Sequence, residues 1–77
     1  SEEVDYSISK LLRDDTAEVV RQHIKTMRGA RIAAAKLLKR EPRECFVIYE
    51  THHRSEAAAT LIPMQAYVNK EPTTDNE

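Results

Sequence analysis

The sequence predicts a small α+β domain with a long central helix, a C-terminal β-hairpin and a short terminal helix. Three observations predict it. Residues 16–40 contain no Pro and place Val20, Ile24, Met27, Ala30, Ala34 and Leu37 at steps of three and four, the spacing of one helix face. Residues 45–51, Cys45-Phe46-Val47-Ile48-Tyr49-Glu50-Thr51, are β-branched and aromatic, the composition of a strand. Pro63 stands before Met64–Lys70, where a proline suits the first position of a helix. An all-α fold is the alternative if residues 56–70 are helical.

In chain order, Tyr6–Leu12 is too short to stand alone and reads as a short helix packed on the long one. A strand through Val4, Tyr6 and Ile8 is the rival reading. Asp14-Asp15-Thr16 supplies N-cap side chains for the long helix, and Glu18 lies near the positive end of its dipole. Good helix formers dominate from there to Arg40, and Pro42 stops continuation. Gly29 marks a bend, a close contact or a junction between two shorter helices; one helix is the expectation. After the strand, residues 52–56 form a polar connection. Ala57–Ile62 pairs back as the second strand of the hairpin, although its alanines also suit a helix. Residues 1–70 thus form one domain, and residues 71–77, with no aliphatic or aromatic side chain, read as a disordered polar tail.

Composition limits the function classes. A chain of 77 residues buries only about 60% of its unfolded surface, so a monomer is thinly stabilised and a second copy or another subunit is expected. One Cys forbids an internal disulfide, which makes a reducing, cytoplasmic setting the default. No apolar run approaches the length of a membrane span, and the start Ser1-Glu2-Glu3 lacks the basic residues of a signal peptide.

The formal net charge of −1 conceals a segregation. Residues 1–20 set Glu2, Glu3, Asp5, Asp14, Asp15 and Glu18 against Lys10 and Arg13, a net −4. Residues 21–43 set Arg21, Lys25, Arg28, Arg31, Lys36, Lys39, Arg40 and Arg43 against Glu41 alone, a net +7. The remainder is again −4. A chain needing only solubility intersperses its signs. The eight cations are therefore the candidate binding residues, either for nucleic-acid phosphates or for an acidic protein surface. The competing expectation is neutralisation by the chain's own acidic ends.

Other chemistries fit poorly. One Gly excludes a glycine-rich phosphate loop. Adjacent histidines on a strand point apart, and no Cys or His spacing matches a zinc site, so neither a metal nor a cofactor is expected. Cys45 lies among packing residues, which argues against a catalytic nucleophile. The apolar helix face holds Ala, Val and Met without an aromatic, too little to anchor at a membrane surface. His52, His53 and Arg54 form a candidate recognition tip on the hairpin turn. The expectation is a non-enzymatic regulatory or accessory protein, dimeric or part of a complex, that binds nucleic acid through its basic helix. An inhibitor or assembly factor that docks the same helix on an acidic protein is the alternative.

The run Phe46-Val47-Ile48 through Ala58-Ala59-Thr60-Leu61-Ile62-Pro63-Met64-Gln65-Ala66-Tyr67 resembles the hairpin-then-helix segment of Phd/YefM-type antitoxins. That resemblance implies a dimeric DNA-binding repressor. The turn lacks the family's usual Gly, the basic helix is longer than the family's N-terminal helix, and the tail is too short for a full toxin-binding arm.

Overall fold

The computed structural model of the chain describes residues 3–55 and 58–68. Five elements follow in order: strand β1 (Glu3–Leu11), strand β2 (Ala17–Ile24), helix α1 (Met27–Arg40), strand β3 (Cys45–Ser55) and strand β4 (Ala58–Tyr67). The four strands form one sheet in the order β2-β1-β3-β4, and every neighbouring pair is antiparallel. Two hairpins are thus joined by a single helix, which packs on one face of the sheet. The expected long central helix carrying an appended hairpin is overturned, and so is the all-α alternative.

Period-two alternation drives the central strands. Along β1, Tyr6 and Ile8 turn toward α1, while Asp5, Ser7 and Ser9 turn away. Ile8 stands opposite Ile48, and Lys10 opposite Phe46, so β3 presents its own apolar set to the same side. Ile8, Phe46 and Ile48 are fully buried there against Ala30, Ala34 and Leu37 of α1. The helix residues repeat at i, i+4 and i+7, and two alanines let its backbone sit close to the sheet. Tyr6, Val20, Ile24, Met27, Ala33, Leu38 and Tyr67 rim this core. The short N-terminal helix is thereby corrected to a central strand.

The long helix over residues 16–40 is corrected to a strand and a shorter helix. Ala17, Glu18, Arg21 and Gln22 favour a helix, but as a strand this segment pairs along β1 and still brings Val20 and Ile24 to the core. Tertiary pairing outweighs the local preference. Asp14-Asp15-Thr16 serves the β1–β2 turn instead of a cap. The Asp14 carboxylate accepts from both the backbone N–H and the hydroxyl of Thr16, and Asp15 takes the left-handed region at φ 67.

The true cap is Thr26. Its backbone is extended (φ −130, ψ 152), and its Oγ accepts from Gly29 N–H at 3.0 Å. Gly29 permits this closure, because a Cβ there stands 3.1 Å from Thr26 Oγ1 and 3.4 Å from the Ile24 side chain. At the other end Glu41 N–H donates to the Leu37 carbonyl, and Pro42 follows. Thr26→Ala is expected to cost about 1 kcal/mol, read as a lower urea midpoint with an unchanged slope.

The terminal helix is corrected as well. Met64–Tyr67 continues β4, with Tyr67 opposite Phe46 and Pro63 opposite Tyr49 beside a register shift. Edge strands and bulges are the sheet positions that accept proline. The hairpin-then-helix likeness to the antitoxin family loses its helix over these residues. Lys70 and the expected tail at 71–77 lie outside the described residues.

Candidate nucleic-acid interface

The core-facing stripe of α1 leaves the opposite half of the helix to solvent. At roughly 100° per residue, Arg28, Arg31, Lys36, Lys39 and Arg40 spread over an arc of about 180° away from Ala30, Ala34 and Leu37. All five are exposed, as are Arg21 on β2, Lys25 in the β2–α1 connection and Arg43 in the α1–β3 turn. The helix contains no acidic residue. The eight cations therefore do not line one rod; they cover a single helix face and both of its approaches.

Arg21, Lys36 and Arg40 converge on one groove between β2 and α1. It measures about 250 Å³ and is floored by Gly29, Ile32, Ala33 and Leu37. No carboxylate lines it. The Arg21 guanidinium also donates to the Val20 carbonyl at 3.0 Å. Guanidinium forks and an ammonium around a shallow apolar floor suit a phosphodiester, since the cations match phosphate oxygens and the floor accepts the sugar edge.

Glu41, Glu50 and Asp5 are engaged elsewhere. Glu41 pairs with Lys10 at 2.9 Å, Glu50 with His52 at 2.8 Å, and Asp5 with His53 at 3.2 Å and His23 at 3.4 Å. Among the described residues, none of the eight cations lies within ion-pair distance of a carboxylate. Among the described residues, direct pairing of these cations with the flanking carboxylates is therefore absent.

The histidines do not form a tip. His52 and His53 lie within β3, half-buried and on opposite faces, and Arg54 follows them on the same strand. On the helix side the Tyr6 hydroxyl donates to Glu50 at 3.0 Å, and His52 Nε2 meets the other carboxylate oxygen. The His52 contact, then the Tyr6 hydrogen bond, hold the Glu50 carboxyl below its ordinary value, and the same carboxylate pushes the Tyr6 phenol up. Glu41 raises Lys10 through their hydrogen bond, and Thr16 lowers Asp14 in the turn.

A group lowered on folding stabilises above its unfolded pKa and loses that contribution as pH falls through its folded pKa. Glu50 and Asp14 thus weaken the fold in acid, from roughly pH 4 downward. A group raised on folding stabilises below its unfolded pKa, so Tyr6 and Lys10 withdraw support as pH rises above about 10. Urea midpoints measured across pH are expected to fall at both ends, and Glu50→Gln is expected to flatten the acid limb.

Sequence reasoning missed the Asp5–His23–His53 cluster, which edges a cleft of about 220 Å³ on the sheet face away from α1. Its signal was the alternation Asp5, Ser7, Ser9 against Tyr6, Ile8. His23 adopts φ 61, which turns the end of β2 toward the helix. Among the described residues, no group of three His, Cys, Asp or Glu side chains is placed to hold a metal ion. Nor is any helix long and apolar enough to cross a membrane. No protein-family model, no curated protein and no solved structure matches this chain.

Proposed function

We propose that this chain is a small non-enzymatic accessory or regulatory protein that grips the phosphate backbone of nucleic acid with α1 and its flanks. One observation carries the reading: eight exposed cations, among the described residues, stand without a carboxylate partner around an acid-free helix. The helix dipole favours Lys39 and Arg40 in the last turn of α1, but helix stability does not account for the other cations. Arg28 occupies the first turn, where a positive charge opposes the dipole and costs a few tenths of a kcal/mol. The groove of Arg21, Lys36 and Arg40 is the anchor, and Lys25, Arg28, Arg31, Lys39 and Arg43 widen the field. α1 carries no Asn or Gln, the side chains that read adenine edges, so the reading rests on phosphate contacts.

Mixed-sequence duplex and single-stranded oligonucleotides, titrated over a salt series, test this. If about five phosphates are engaged, the slope of log K against log salt for duplex is near −4.5. No binding at about 50 mM salt, together with a stable complex with an acidic protein, overturns the proposal.

A further inference from the structure

We propose that β4 is the dimerisation edge of this protein, pairing antiparallel with β4 of a second copy to continue the sheet from four strands to eight. The two edges of the sheet differ in kind. Both edge strands have two register shifts against their neighbours, but the β2 edge also carries Glu18 and Arg21 and holds His23 in the left-handed region one residue before its end. Charges of this sort are how a sheet edge is kept from pairing. The β4 edge has no charged residue from Ala58 through Val68, in a chain where 32% of residues are charged.

Every residue from Ala58 to Ala66 is exposed. Leu61, Ile62 and Met64 are 49%, 40% and 46% exposed, and Leu61 and Ile62 project to opposite faces of the sheet. A strand apolar on both faces has the composition of an interior strand, yet β4 has a neighbour on one side only. Pro63 and the register shift beside it interrupt the strand. Ala59–Ile62, in unbroken register with β3, is therefore the pairing stretch.

The occupant is a second copy because its edge is equally uncharged and equally apolar, so no like charges meet and each residue of the seam faces another uncharged one across the axis. A two-fold interface is self-complementary in this sense. The chain's own residues 71–77 hold no aliphatic or aromatic side chain and four that are charged or amide-bearing, a poor match to the same edge.

Antiparallel pairing of identical strands places the two-fold axis perpendicular to the sheet. Both α1 helices then lie on one face of the continued sheet. The pairing stands apart from the nucleic-acid reading; only the consequence, a doubled cationic surface facing one way, rests on it.

Light scattering and sedimentation of the full chain across a concentration series test the pairing, with nucleic-acid binding measured separately. The wild type is expected at twice 8.8 kDa. Leu61→Lys with Ile62→Lys is expected to weaken association by about a hundredfold, by placing charges in an apolar seam. Val19→Lys, exposed on β2, is expected to leave the dimer intact. A nitroxide on Thr60→Cys, in a Cys45→Ser background, is expected to show dipolar broadening between copies, a readout that does not depend on the lysine variant folding. A monomeric wild type, a dimer indifferent to the seam lysines, a dimer lost with Val19→Lys, or an unbroadened label overturns the proposal.

Discussion

Lys36→Glu combined with Arg40→Glu is expected to lower affinity for mixed-sequence duplex by a hundredfold or more at about 0.1 M salt. The two side chains stand one helical turn apart on the wall of the groove that Arg21 closes from β2. Each phosphate contact contributes a slope of about 0.9, which is near eightfold in affinity at that salt. Losing two contacts gives about sixtyfold, and reversing the charges adds repulsion. Neutral Lys36→Gln with Arg40→Gln removes the contacts alone and is expected to flatten the salt slope by about 2. Both variants sit on exposed surface, so stability is expected to change by less than about 0.5 kcal/mol per site. A matched melting curve beside the lost binding separates this outcome from unfolding.

Phe46→Ala is expected to have the largest effect on the fold. Phe46 is fully buried in a core of six residues, and its removal leaves a cavity between α1 and the two central strands. Truncations of this kind cost about 3–5 kcal/mol. A chain this short lies toward the lower end of the ~5–15 kcal/mol range of domain stabilities. The variant is therefore expected to lose cooperative thermal unfolding, while Ile32→Ala, on the exposed floor of the groove, melts close to wild type. Cooperative unfolding of Phe46→Ala within about 1 kcal/mol of wild type would show that the core lies elsewhere.

The charge pattern was legible in the sequence because exposure of cations survives a change of fold. All eight positions are exposed although the first part of the expected helix, Ala17–Ile24, is a strand. The run Cys45–Thr51 was legible because β-branched and aromatic residues leave little ambiguity. β1 was not, because Leu11-Leu12 breaks an alternation that Tyr6, Ser7, Ile8 and Ser9 otherwise keep. β2 was hidden by a coincidence of spacing. Val20, Ile24 and Met27 fall on one helical stripe, yet Val20 and Ile24 reach the core from a bulged strand and Met27 from a helix. Thr26 was an obscure cap because Gly29, three residues on, replaces the Glu or Gln of a capping box. Pro63 suits a helix start as readily as the irregular edge strand it marks, and local sequence does not separate the two. The groove had no sequence signature, since its third cation comes from the neighbouring strand.

Mapping amide and arginine side-chain NMR shifts on addition of a short mixed-sequence duplex tests the central claim most directly. The expected perturbations concentrate on Arg21, on Gly29 through Arg40 and on Arg43, and fade as salt is raised. Perturbations centred instead on Ser7, Val47, Tyr49 and Thr51, across the opposite face of the sheet, would contradict it.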